Sequence, residues 1–361
     1  MKKIGLVIIL LVTLIDTSNA QKVLKSFENT ATVDSVIYFE NRTLRSQVVN
    51  FANLKKAAYK VAIPMIHGIP VAEYSLNQLG DIQIDEAERS PRDLRSTFLD
   101  YKLDFVLLPQ FSASFGNPEK AVANQTNLLL NTNFVLPLGF SLYTGITFPL
   151  INNLNSQPLN IRPAPTFLSQ FIGLRRFQYI SWSAGLFYQD RYGVDFQYQR
   201  ANPNANVSYG LDINYSGVYY IYPGRNFRYT GFTDFSALAN ASWRWQKYNT
   251  IFRLTAGRFL YKDTGAKIDL VRQFKKADIG FFGIMTTNGN TIGLHLAFAI
   301  APGTIAQNKH LRLRTTEEFA WDYFYDSGFS IGERFRTNFQ LDERLSLYHK
   351  DYWEQFQNHK K

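Results

Sequence analysis

The stretch FQYISWSAGLFYQDRYGVDFQYQR, residues 177–200, decides the fold. Ile180, Trp182, Ala184, Leu186 and Tyr188 alternate with Tyr179, Ser181, Ser183, Gly185 and Gln189. A tight turn is predicted at Asp190-Arg191. Beyond it Tyr192, Val194, Phe196 and Tyr198 alternate with Gly193, Asp195, Gln197 and Gln199. Successive side chains of a strand point to opposite faces, so one face is aromatic and apolar and the other polar or small. A half-buried antiparallel sheet meets that pattern. So does a barrel with lipid outside and a wet lumen.

The same period runs outward in both directions. Toward the N-terminus, Leu103, Phe105 and Leu107 begin a first long strand. Leu128, Leu130, Phe134 and Leu136 mark a second, and Phe140, Leu142, Ile146 and Phe148 a third after a turn at Gly139. A Pro- and Asn-rich loop spans Asn152 to Pro165, followed by a strand at Phe167 to Arg175. Past the quoted stretch, Val207 to Tyr222 alternates cleanly. Further strands are predicted at Phe232–Gln246, Tyr248–Tyr261, Gly265–Phe274, Ile279–Thr287 and Thr291–Ala301. Turns are predicted at Lys247-Tyr248, Asp263-Thr264-Gly265 and Asn288-Gly289-Asn290. These are about twelve strands, each near the length of a tilted transmembrane strand. Leu311–Tyr325 and Ile331–Leu341 read as a charged pair of strands. Leu345–Phe356 reads as a terminal helix or strand.

The N-terminus carries Lys2 and Lys3, an apolar run from Ile4 to Ile15, and Ser18-Asn19-Ala20. This predicts a signal peptide cleaved after Ala20. The sequence has no cysteine, which excludes a disulfide, a cysteine-anchored lipid and any cysteine-based site. Aromatics reach 16%, yet mean hydropathy is only -0.20. That combination fits alternating strands with aromatic girdles, or a large secreted β-sandwich. The net charge of +10 is spread along the chain, which disfavours nucleic acid and suits an acidic polymer or a lipid headgroup surface.

Residues 21–97 predict a small periplasmic α/β domain. Its parts are a strand at Asp34–Glu40, a helix over Arg42–Tyr59 capped by Asn41, and strands at Lys60–Pro64 and Ile69–Leu76. Gln78–Arg95 reads as a charged linker. The fold class expected is all-β with a small α/β appendage. An antiparallel transmembrane β-barrel of about 12 strands (12–14) occupies residues 98–302, and 303–361 supply closing strands and a tail.

Several motifs carry a resemblance. They are Tyr38-Phe39-Glu40-Asn41-Arg42 with Arg45, Ile69-Pro70-Val71, Arg162-Pro163-Ala164-Pro165, and Gln189-Asp190-Arg191-Tyr192-Gly193. Late in the chain come Ala256-Gly257-Arg258-Phe259-Leu260, Lys262-Asp263-Thr264-Gly265-Ala266 and Arg272-Gln273-Phe274. In their order and spacing the chain resembles the YjbH-like outer-membrane proteins of exopolysaccharide and capsule biosynthesis clusters. Members of that family have a further β-rich region ahead of the small domain. The resemblance implies the outer membrane of a Gram-negative-type cell and a role in making or exporting extracellular polysaccharide. Implied partners are outer-membrane lipid, the polysaccharide, and periplasmic export or biosynthesis proteins.

Asp195, Gln197, Gln199, Asp212 and Asn214 share the polar parity of two adjacent strands. In a barrel they face the lumen, where amides and carboxylates can bind sugar hydroxyls. Ordinary filling of a polar interior is the stronger reading. Asp263, Gly265 and Arg272 suit a favourable turn better than chemistry. Arg272 shares a face with Ile268 and Leu270, which calls for a place near a membrane interface or a bulge in the strand. The five histidines have no metal-pair spacing, and no Gly-x-Ser-x-Gly elbow is present. No catalytic residue, metal or cofactor is expected. The function expected is non-catalytic guiding or docking of a polymer or export partner. A barrel enzyme that trims polysaccharide or lipid, and a purely structural or diffusion barrel, are the alternatives.

Overall fold

The computed structural model describes residues 31–33, 36–40, 61–76, 82–87, 103–117, 120–153, 158–223, 226–299, 306–307, 311–316, 318–324, 330–337 and 340–355. The predicted signal peptide, the helix over Arg42–Tyr59, and Asn41 and Arg42 lie outside them. The described chain is almost wholly β, with two short α-helices, α1 (Leu341–Ser346) and α2 (Lys350–Glu354). Among the described residues no helix is long and apolar enough to cross a membrane.

Six strands build a small sheet: β1 (Ala31–Val33), β2 (Val36–Glu40), β3 (Val61–Ile66), β4 (Ile69–Pro70), β5 (Glu73–Leu76) and β6 (Ile82–Asp85). Their order is β1-β2-β3-β5-β6, with β4 folded back on β3. Glu40 ends β2. β2 and β3 run parallel, which requires a crossover between them. The linker reading of Gln78–Arg95 is corrected at its centre. Ile82 and Ile84 alternate with Gln83 and Asp85 and pair with β5, because only the isoleucines face the core.

The second sheet is large and mixed. Its long strands are β7 (Leu103–Asn117), β8 (Lys120–Val135), β9 (Phe140–Asn152), β11 (Thr166–Leu174), β12 (Gln178–Leu186), β13 (Arg191–Arg200) and β14 (Val207–Tyr222). They continue with β16 (Asp234–Trp245), β17 (Thr250–Arg258), β18 (Thr264–Gln273), β19 (Ala277–Thr286), β20 (Gly289–Ala299) and β23 (Glu318–Phe324). Each pairs antiparallel with the next. β10 (Arg162–Pro163) and β15 (Asn226–Tyr229) are short partners of β9 and β14. β21 (Ala306–Gln307) pairs with β22 (Leu311–Thr315), and β22 lies parallel to β7.

Among the described residues, three tight hairpins turn on two consecutive left-handed residues neither of which is glycine: Arg176-Phe177, Gln189-Asp190 and Tyr261-Lys262. That geometry matches the twist of the flanking strands. The turns predicted at Asp190-Arg191 and Asp263-Thr264-Gly265 therefore sit earlier than the sequence suggested. Arg191 and Gly265 already belong to strands.

The two rims of the large sheet differ. At the rim beside the small sheet several connections are short, as at residues 136–139, 175–177 and 246–249, while β20 and β23 are joined there through β21 and β22. At the distal rim β14 and β15 extend beyond their neighbours, and a longer connection joins β9 to β11. The small sheet packs on the proximal rim. Tyr179 of β12 donates to the Val71 carbonyl at 2.8 Å, and Asn204 to the Ile84 carbonyl at 2.8 Å.

The predicted strand at Ile331–Leu341 is not formed. Residues 331–337 have no strand pairing, and Leu341 opens a helix. Within residues 303–361 the described strands are β21–β23. The alternation of Arg334 and Arg336 imitates a strand, but Arg334 pairs with Asp212 of β14 and Arg336 lies 3.9 Å from Glu343 of α1. The terminal segment at Leu345–Phe356 holds the end of α1 and all of α2, separated by a turn at residues 347–349.

Candidate functional site

The large sheet wears its apolar face outward. On β13, Val194 is 49% exposed and Phe196 40%, while Asp195 is 4% and Gln197 1% exposed. Leu211 and Tyr215 of β14 are exposed, and Asp212 and Asn214 are buried. The same inversion continues to β19 and β20, where Phe281 is 62% and Ile292 74% exposed. Arg272 lies on the outer face near the proximal rim, its guanidinium 5.0 Å from the Phe274 ring centre.

Asp195, Gln197, Gln199, Asp212 and Asn214 come together on the buried face. Register sets Asp195 opposite Asn214 and Gln197 opposite Asp212. Gln197 donates to Asp195 through Nε2 at 2.7 Å. What covers them is the chain's own C-terminal segment.

That segment crosses the polar face from the distal rim to the proximal one. At the distal rim Asp263 is a clasp. Its Oδ1 accepts from Thr287 Oγ1 and the Asn288 amide, both at 2.9 Å, and its Oδ2 accepts from the Gly332 amide at 2.8 Å. Burial alone raises a carboxyl, but these hydrogen bonds outweigh it and hold Asp263 below its ordinary range. Leu260 donates to the Glu333 carbonyl at 3.0 Å. Farther in, Phe335 sits in a pocket of Phe167, Phe187 and Leu260. The Leu341 amide donates to Gln197 Oε1 at 2.8 Å.

The middle of the crossing is held by charge. Arg334 grips Asp342 with both terminal nitrogens, at 2.9 and 3.1 Å, and also pairs with Asp212 of β14. Arg253 of β17 lies 3.5 Å from the same Asp342. Arg244 of β16 donates to the Ser346 carbonyl at 2.7 Å. Burying one of these groups alone costs several kcal/mol, so all four charges of the network have to be matched.

At the proximal rim the segment docks into the small sheet. Tyr348, Tyr352 and Trp353 share one buried cluster with Ala62, Tyr74 and Ile84. His349 caps α2 by accepting from the Asp351 amide through Nδ1, while Nε2 faces the Ala205 carbonyl at 3.2 Å. Burial and the nearby Arg244 push its pKa down to about 3.

The resembling motifs fall mostly on the distal half. Arg191 is buried and reaches Asp234 at 3.1 Å and Ser216 at 3.2 Å, with Tyr261 stacked on its guanidinium. Tyr192 donates to the Thr230 carbonyl. Gly193 has φ +156, and a Cβ there would lie 2.2 Å from the Tyr215 carbonyl oxygen. Arg162 is buried and donates to the Pro158 carbonyl at 3.4 Å, while Pro163 beside it is exposed. Gly265 tolerates no side chain either, because Met285 O would be 2.1 Å from its Cβ.

Sequence reasoning missed Arg253, Arg244, Arg334 and Asp342. For the first two a signal existed. Arg244 and Arg253 stand on the parity opposite Trp243, Trp245 and Leu254, and an inward cation demands a partner. Among the described residues no cluster of three or more histidines and carboxylates is placed to hold a metal. No family model, curated protein or solved structure matches the chain.

Proposed function

We propose that the large sheet closes into an outer-membrane β-barrel whose lumen holds the C-terminal segment. The observation that carries this reading is the inverted facing of the strands. Each large apolar side chain left in water forgoes roughly 1.5–3 kcal/mol of burial. Facing lipid, the same side chains are at no such disadvantage, and the polar wall is then interior. Aromatic residues gather at both rims, with Trp243, Trp245 and Tyr248 at the proximal one and Tyr215, Phe232 and Phe235 at the distal one. This is the distribution of interfacial belts. Closure is supported by the strand path, which returns to β7 through β22, with β23 beside it. The short proximal connections suit the periplasmic side, which puts the small sheet there.

The role proposed is non-catalytic service in exopolysaccharide or capsule export, through docking of polymer or export partners. The likeness to YjbH-like proteins supports the pathway. The periplasmic sheet, joined firmly to the C-terminal segment, supports docking over chemistry. Asp195 and Asp212 are each engaged and covered, which does not suit this pair to hydrolysis. Membrane fractionation with a polymer assay tests the reading. The protein is expected in the outer membrane with heat-modifiable gel migration, and deletion of residues 22–89 is expected to reduce extracellular polysaccharide or alter its length. Recovery as a soluble monomer without detergent sinks the barrel. Unchanged polymer from an inserted deletion variant sinks the export role.

A further inference from the structure

Resting on the barrel reading, we infer that residues 330–355 are a displaceable plug, and that their withdrawal opens a passage suited to neutral, hydroxyl-rich solutes. Three observations converge. First, the segment meets the wall mainly through ions and hydrogen bonds: Arg334 to Asp212, Arg253 to Asp342, and Leu341 to Gln197. Water can replace such contacts on both sides, because the attraction within a buried ion pair roughly offsets the hydration it gave up. An apolar interface has no equivalent exchange.

Second, the plug leaves the wall imperfectly matched. Gln199 and Asn240 have unpartnered amide oxygens and nitrogens, and Asn214 Oδ1 and Ser236 Oγ are unpartnered too. All four residues are at least 96% buried. Register puts them on one face, Asn214 opposite Ser236 and, four residues along β14, Gln199 and Asn240 flanking Gly210, with Asp212 between the two rungs. Buried polar atoms without partners penalise the closed state, and withdrawal returns them to water. Third, the larger apolar hold is at the proximal rim, where Trp353 stacks on Tyr74 of the small sheet, while on the large sheet the apolar hold is the single ring of Phe335 in its pocket of Phe167, Phe187 and Leu260. A partner that moves the small sheet therefore has a mechanical grip on the plug.

The opened wall sets the solute class. Amides and hydroxyls of β13, β14 and β16 stand between Asp195 and Asp212 on one side and Arg244 and Arg253 on the other. Mixed charge with many neutral donors and acceptors suits sugar hydroxyls and disfavours an ion of either sign.

The test places the full-length protein in liposomes and follows entry of a neutral disaccharide and of a sulfonated solute of similar size. Wild type is expected to be nearly closed. A double variant, Arg334→Ala with Trp353→Ala, is expected to admit the disaccharide at least tenfold faster, with the sulfonate lagging. A heat-modifiable double variant as tight as wild type overturns the plug, as does a wild type already as leaky as the variant. Equal entry of the sulfonate overturns the solute class. Should the double variant fail to insert, Asp195→Cys in the inserted protein decides under graded urea. Labelling before heat-modifiability is lost supports the plug, and labelling only at global unfolding overturns it. A wild type that never gains heat-modifiable migration defeats the barrel reading itself, which this readout separates from failure of the plug alone.

Discussion

Tyr74 and Trp353 stack face to face, 4.0 Å between ring centres and 17° between planes, although they come from opposite ends of the chain. Tyr74 also donates to the Tyr348 carbonyl at 2.6 Å. The small sheet is thereby fastened to the segment that crosses the polar face. Trp353→Ala is expected to cost about 3–5 kcal/mol of that docking, the usual range for a buried tryptophan. Hydrogen exchange should quicken at Ile82–Asp85 and in α2 while amides of β16–β19 stay protected. Unchanged exchange in α2 would mean that the stack contributes nothing.

Arg334 joins Asp212 of the wall to Asp342 of the crossing segment. Arg334→Met removes the cation between two buried carboxylates, leaving Asp212 without this partner and Asp342 with Arg253. The expected loss is about 3–5 kcal/mol, the cost of breaking a buried pair by removing one partner. A double-mutant cycle with Asp212→Asn should return a coupling of about 1–3 kcal/mol, since contacting residues do not add. Additive effects in detergent unfolding would deny the contact.

The strands of the large sheet were legible because a period of two survives wherever one face is apolar and the other polar. Val207 to Tyr222 appears at its predicted bounds for that reason. The turns were less legible. Arg176-Phe177 and Tyr261-Lys262 adopt left-handed backbone without the Asn-Gly signature, since pairing of long strands on both sides enforces it. The crossing segment was misread because Glu333, Arg334 and Arg336 alternate as strand residues do. Only the positions of Asp212, Arg253 and Asp342 in space reveal what those charges meet. Asp195, Gln197 and Asp212 share the polar face that their parity predicts, but no pattern along the chain signals that its own C-terminal part lies over them.

His349 makes the proximal rim acid-sensitive. Its folded pKa, near 3, is below the ordinary value of about 6.5. Between these values the unfolded chain binds a proton that the folded one refuses, so stability falls as pH drops from about 6.5 toward 3. Protonation of Nδ1 also removes the acceptor that caps α2. The neighbouring Asp351, raised by burial, works the other way and offsets part of the loss. Protection of the α2 amides, taken relative to intrinsic exchange at each pH, should fall on acidification from pH 7 to 5. His349→Asn keeps a capping oxygen without the titration, and its pH dependence should be flatter. The same slope in both proteins would assign the effect elsewhere.

Labelling of introduced cysteines reads the two faces and the plug in one experiment, against a background with no native cysteine. Val194→Cys, Phe196→Cys, Leu211→Cys and Ile213→Cys stand on the apolar face. In a soluble sheet of this facing they would react at once with a hydrophilic thiol reagent, whereas lipid shields them. Asp195→Cys, Gln197→Cys, Asp212→Cys and Asn214→Cys face the interior beneath the C-terminal segment. They are expected to react slowly in the intact protein, then quickly once Arg334→Ala and Trp353→Ala are added. The apolar set should stay protected throughout, because a one-residue register slip is the only simple way to exchange the two sets. Rapid labelling of the apolar set in membranes would refute lipid facing. Rapid labelling of the interior set in the intact protein would show the polar face open to solvent, with the segment lying elsewhere.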